Sequence, residues 1–146
     1  MVHHARFLWL LMALFACRVA GQAAVAFLGV SWLPPMSEWY SGLLEYPLLL
    51  PSQLMILVLM LTMNLGVQAE RGPLARVSAR SAKVVRGFAC LYFAGMVIRY
   101  ALTMYLVPER RWFGGTIPIF FHWLLALYLY LWADHHLRRL AAGARA

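Results

Sequence analysis

The sequence predicts an all-α membrane protein, a four-transmembrane-helix bundle with both termini cytoplasmic and an aromatic- and proline-rich outer segment between the first two helices. Three observations carry that prediction. The 146 residues are 64% hydrophobic and only 12% charged, against roughly a quarter charged in an average soluble domain, and a soluble chain this small has too little interior to hide so much apolar surface. The apolar residues gather in four runs, Phe7 to Val30, Leu48 to Gln68, Val84 to Val107 and Thr116 to Ala133, each close to the ~20 helical residues that cross a hydrocarbon core. The basic residues, which give a net charge of +8, cluster between those runs. Open sheets are excluded, because unpaired backbone groups in hydrocarbon cost several kcal/mol each. The whole chain, residues 1–146, reads as a single integral membrane domain.

The first span carries one charge, Arg18, deep among apolar neighbours. Ala16, Ala20 and Ala24, with Cys17 and Gly21 beside them, make a small-residue face suited to close helix packing. A signal-peptide reading of the same segment fits less well. Phe15 suits a processing site ahead of Cys17 poorly, and the apolar run continues where a mature chain turns polar. The connection that follows, SWLPPMSEWYSGLLEYP, holds Glu38 and Glu45 but no Lys or Arg. Its Trp32, Trp39, Tyr40 and Tyr46 are residue types that lodge at headgroup level. On the second span Gln53, Asn64 and Gln68 share a face, the first two about three turns apart; such a stripe is expected to act as interhelical hydrogen-bonding glue.

The second connection carries Arg71, Arg76, Arg80, Lys83 and Arg86. Gly72-Pro73 is expected to end the second helix and let the third begin near Pro73. Arg76, Arg80 and Lys83, opposite Leu74, Val77 and Val84, then form an amphipathic start anchored on anionic lipid headgroups, with Arg86 adding to the patch. The third connection, PERRWFGG, sets Arg110 and Arg111 beside Glu109. Near the span ends, nine Lys and Arg lie on the side of the termini and second connection, and two on the other. The positive-inside rule therefore puts both termini in the cytoplasm, as in a multi-pass protein of the cell's inner membrane. Arg outnumbers Lys twelve to one, a usage that suggests a GC-rich bacterial genome. Nucleic acid is not an expected partner, since the basic residues are not interleaved with stacking aromatics on a polar surface.

With that orientation Arg18 lies about 16 Å into the membrane, close to the midplane of a core about 30 Å thick. Arg99 on the third span lies somewhat beyond the midplane. Gln22 is one turn above Arg18, and Gln53 and His122 sit near the outer ends of the two returning helices. A midplane charge costs from about 3 to more than 10 kcal/mol, and snorkelling over that depth exceeds an arginine's reach. None of the five acids lies inside an apolar core. Two answers follow. One is an internal network in which Glu45, or Glu38 in its place, folds down to meet Arg18, Arg99, Gln22 and Gln53. The other is that the anion comes from outside the chain: a lipid headgroup or small anionic molecule held by Arg18 and Arg99 and oriented by Gln22, Gln53 and His122. Guanidiniums suit phosphate and carboxylate, and intramembrane charge marks functional sites. A third source of the missing acid is a partner membrane protein, with this chain as its accessory subunit.

A faint internal repeat accompanies these positions: Arg18, Trp32, Pro51 and Gln53 in the first hairpin, and Arg99, Trp112, Pro118 and His122 in the second. A metal site is not expected. His3-His4 and Asp134-His135-His136 lack chelating spacing and read as solvated interfacial residues. Cys17 and Cys90 stand alone in apolar runs and read as small hydrophobes. Haem is disfavoured, with His122 the single histidine inside a span, and no catalytic motif appears. The expectation is a protein that binds or transports an anionic or amphipathic small molecule in the outer half of the bundle, against the alternative of a non-catalytic subunit with paired arginines.

Overall fold

The computed structural model describes residues 2–39, 45–69, 72, 74–107 and 115–143, with side chains from residue 4 onward. Tyr40, Arg71, Pro73, Glu109, Arg110, Arg111, Trp112 and the His3 side chain, all named above, lie outside the described residues. The regular structure of the described residues is entirely helical: α1 (Val2–Leu28), α2 (Met36–Trp39), α3 (Tyr46–Ala69), α4 (Ala79–Leu106) and α5 (Ile117–Gly143). Four stretches, His4–Leu28, Tyr46–Ala69, Ala79–Leu106 and Ile117–Gly143, are long and apolar enough to cross a membrane.

The ends of these helices follow local chemistry. α1 stops at Leu28, where Gly29 takes φ 60°, the left-handed conformation that terminates helices. α4 starts later than Pro73. Ser78 is its N-cap, accepting the Ser81 N–H at 3.1 Å, which satisfies one of the donors that every helix start leaves open. Leu74, Arg76 and Val77 therefore precede α4, and the amphipathic start expected there is shortened to Arg80, Lys83 and Val84. α5 runs past Ala133 to Gly143, because the Leu, Arg and Ala of its polar extension are good helix formers. In α3, Pro51 sits within the second turn, and the neighbouring Ser52 hydroxyl donates to the Leu49 carbonyl at 2.7 Å.

Three of the four long helices build the core. Leu8, Leu11, Phe15 and Val19 of α1 pack with Met60, Met63 and Val67 of α3 and with Tyr128, Trp132 and Ala133 of α5. α4 lies against α5, outside that core, and only its Ala82 and Ala89 are buried among its described residues. Small residues at those positions let two backbones approach. The rest of its surface is large and apolar, with Leu91 at 75% and Tyr105 at 80% exposure. A run of exposed hydrophobics this extensive is a liability in water and ordinary against lipid. The small-residue face of α1 is only partly used: Gly21 is packed against Trp39, while Cys17 and Ala20 are exposed.

At one end of the bundle the start of α1, the start of α4 and the end of α5 meet around Asp134. Its carboxylate is 2.6 Å from Arg138 Nε, 3.8 Å from Arg86 Nη1 and 3.9 Å from His4 Nε2. The first and last long helices thus have their terminal ends on the same side. His135 and His136 are buried rather than solvated, and His136 lies edge-on to Trp132 with ring centroids 4.6 Å apart. Their position on a continuous α5, with His136 one turn beyond the core aromatic Trp132, removes them from water.

Candidate functional site: a polar cavity around Arg18

The opposite half of the bundle holds a second group of buried polar residues. α1 supplies Arg18, 8% exposed, and Gln22, fully buried; α3 supplies Gln53, 3% exposed. Between them α2 folds into the bundle. Pro34 and Pro35 turn the chain, and the Trp39 indole N–H donates back to the Pro34 carbonyl at 2.8 Å. The ring then rests on Gly21, where a Cβ would stand 2.9 Å from its far edge. A glycine at position 21 is what allows this seat.

Seating Trp39 brings its backbone carbonyl to the arginine. Arg18 Nη2 donates to that oxygen at 3.2 Å, and Gln22 Nε2 stands 3.5 Å from the same atom. Gln53 Nε2 donates to Gln22 Oε1 at 3.0 Å. The Arg18 guanidinium also lies over the Phe121 ring, 5.7 Å from its centroid, an arrangement that offsets part of the cost of burying a cation. Arg18 is therefore met by a main-chain dipole and an aromatic face. Among the described residues no carboxylate pairs with Arg18 or Arg99. Glu45, the expected counter-ion, is exposed at the start of α3, where its carbonyl accepts the Leu48 and Leu49 N–H groups. The Glu38 carboxylate accepts the Gly115 N–H and so joins α2 to the start of α5. The reason is the path of the connection: the Pro34-Pro35 turn delivers main chain to the arginine and leaves both acids elsewhere.

A cavity of about 190 Å³ opens beside this network, lined by residues that include Arg18, Trp39, Ser52, Gln53, Phe121 and His122. Among the described residues Arg18 Nε and Gln53 Oε1 are both buried without a hydrogen-bond partner, as is the Tyr46 hydroxyl, which lies within electrostatic reach of Arg18. His122 is hydrogen-bonded through Nδ1 to the Tyr92 hydroxyl of α4, and the charges of both Arg18 and Arg99 are felt at it. Of the five residues singled out in the sequence, Arg18, Gln22 and Gln53 are thus linked through hydrogen bonds, with Trp39 O between the first two. His122 shares their cavity. Arg99 is half-buried on α4 and does not line it.

Five participants escaped the sequence reading, Phe121 among them as one aromatic ring in an apolar run. Tyr46 and Ser52 carried a detectable signal, since each lies within seven positions of Gln53 at the start of the same span. Tyr92 carried one too, a hydroxyl inside an apolar run. The Trp39 carbonyl carried none, because any residue supplies a main-chain oxygen.

Elsewhere, Asn64 and Tyr128 join α3 to α5: the buried Tyr128 hydroxyl lies 2.8 Å from Asn64 Oδ1 and 2.9 Å from the Met60 carbonyl. Gln68, predicted on the same stripe, is exposed. A larger void of about 600 Å³ lies between α1, α4 and α5, lined mostly by apolar side chains such as Leu11, Ala89 and Leu127, with Cys90, Trp123 and Tyr130 the polar-tipped residues of its wall. Among the described residues no group of three His, Cys, Asp or Glu side chains has metal-binding geometry. The chain matches no protein-family model, no curated protein and no solved structure.

Proposed function

We propose that the protein binds, and in that capacity stores or passes across the membrane, a small anionic or amphipathic molecule whose charged group enters the cavity beside Arg18. The observation that carries this reading is the pair of buried, unpartnered polar atoms, Arg18 Nε and Gln53 Oε1, on one cavity. Buried polar groups are nearly always satisfied, and an unmet guanidinium N–H in hydrocarbon is an anion's natural position. Size narrows the class. At about 190 Å³ the cavity is below the roughly 300–1,000 Å³ of pockets that enclose drug-sized ligands, so it fits a headgroup or a small carboxylate or phosphate. Charge asymmetry supports the orientation: both termini face the cytoplasm, and the cavity opens in the outer half. Arg76, Arg80, Lys83 and Arg86 then rest on anionic headgroups of the inner surface. The setting proposed for the chain is a bacterial inner membrane.

A second reading has one observation in its favour. The Trp39 carbonyl and the Phe121 ring already give Arg18 a seat, as a structural residue of an accessory subunit requires. Lipid-retaining mass spectrometry of the wild type, Arg18→Leu and Arg99→Leu decides between them. The ligand reading expects an anionic species on the wild type, lost from Arg18→Leu and weakened in Arg99→Leu. If no anionic species differs between folded wild type and Arg18→Leu, the ligand reading fails.

A further inference from the structure

The polar chain beside Arg18 has a direction, and that direction restricts the ligand. Trp39 O is a carbonyl and can only accept. The Gln22 amide therefore turns its Nε2 toward Trp39 and its Oε1 toward Gln53. The Gln53 amide must then give its Nε2 to Gln22, which leaves its Oε1 facing no donor, buried and unpartnered. Flipping both amides would set two acceptor oxygens, Gln22 Oε1 and Trp39 O, against each other. The cavity accordingly presents two unmet demands of opposite sense: a cationic N–H of Arg18 that requires an acceptor, and a carbonyl oxygen of Gln53 that requires a donor.

Resting on the anion-binding reading above, we infer that the ligand of this cavity carries a hydroxyl or amide N–H next to its negative charge, the hydrogen donated to Gln53 Oε1 while the anionic oxygens face Arg18. A hydroxylated phosphodiester headgroup or a free hydroxyalkyl phosphate meets both demands. A carboxylate or phosphodiester bearing no donor meets the arginine and leaves Gln53 Oε1 unpaired. An unpaired buried acceptor weakens binding by about tenfold or more.

The test uses the full chain, stripped of lipid in an uncharged detergent, and a matched pair of lipids with the same acyl chains. Phosphatidylglycerol and phosphatidylmethanol carry the same phosphodiester charge, and only the former has headgroup hydroxyls. Competitive native mass spectrometry is expected to show the wild type holding phosphatidylglycerol about tenfold more tightly. Gln53→Leu is expected to bind both lipids equally, and Gln53→Met serves the same purpose should the leucine variant not fold. A soluble arm compares glycerol phosphate with methyl phosphate as displacers; a preference for glycerol phosphate there assigns the same donor requirement to a free anion. Equal binding of both members of each pair by the wild type overturns the inference while the anion site stands. A hydroxyl preference that persists in Gln53→Leu overturns it too. Absence of any Arg18-dependent binding removes the site itself.

Discussion

Tyr128 has one hydroxyl hydrogen and two acceptors within reach, Asn64 Oδ1 at 2.8 Å and the Met60 carbonyl at 2.9 Å. That imbalance makes the two sides of the contact unequal to mutation. Tyr128→Phe takes away the one donor that Asn64 Oδ1 has; the Met60 carbonyl still accepts along its own helix, so the loss falls on a single oxygen. Both residues are at most 2% exposed, and water cannot replace the bond. Interhelical hydrogen bonds in membranes average about 0.6 kcal/mol, with a maximum near 1.7, and orphaning a buried group belongs at the upper part of that range. Tyr128→Phe is therefore expected to cost about 1–1.5 kcal/mol. Asn64→Leu replaces a side chain of similar volume and leaves the hydroxyl free to donate wholly to Met60 O. Its other contact, Nδ2 to Met12 Sδ at 3.5 Å, is weak, and the expected cost is below about 0.5 kcal/mol. The double variant should be close to Asn64→Leu alone, since no acceptor side chain remains to be orphaned. Unfolding in mixed micelles, followed by circular dichroism for all four proteins, reads these differences directly. If Asn64→Leu proves more costly than Tyr128→Phe, the assignment of the hydroxyl to a shared pair of acceptors is wrong.

Gly21→Leu should expel the Trp39 ring, against which even a Cβ stands at 2.9 Å; the expected outcome is faster hydrogen exchange at the amides of residues 36–39 and loss of the anion that Arg18 retains. Asp134→Asn removes the carboxylate that meets Arg138, Arg86 and His4. Because Arg138 is 72% exposed its share is small, and a total loss of about 1 kcal/mol is expected, with hydrogen exchange rising at the first turns of α4 and little change around Arg18. Single cysteines at His4, Arg138 and Ser37, on a Cys17→Ala/Cys90→Ala background, test the orientation with a membrane-impermeant maleimide. Labelling from outside is expected at position 37 alone, and external labelling at 4 or 138 would reverse the proposed topology.

The long helices were legible because the bilayer imposes a length on apolar runs that little else in a sequence imitates. Their ends were less so. The shift of α4's start to Ala79 depended on Ser78 capping in competition with Pro73 as a first-turn residue, and propensity alone ranks neither. The separation of α4 from the core was hidden for a related reason. Lipid-facing and core-facing side chains are equally apolar, so periodicity does not distinguish them, and only Ala82 and Ala89 mark the contact face. Arg18, Gln22, Gln53 and His122 could be read as neighbours because the expected spans and orientation set them at similar depths. The answer to Arg18 could not, since side-chain bookkeeping pointed to Glu45 and Glu38 while the chain's route supplied an oxygen that no residue code records.

That route has a consequence for how the site changes over time. The acceptor facing Arg18 belongs to the peptide unit of residue 39, and a substitution anywhere in the connection leaves the atom in existence. What moves it is the count of residues between α1 and α2 and the space above Gly21. Insertions and deletions between positions 29 and 38 are thus the changes to which the arginine answers most, and point substitutions there matter through the Gly29 and Pro34-Pro35 turns and the Glu38 contact rather than through the acceptor atom itself. The arginine's seat is a gauge of loop length.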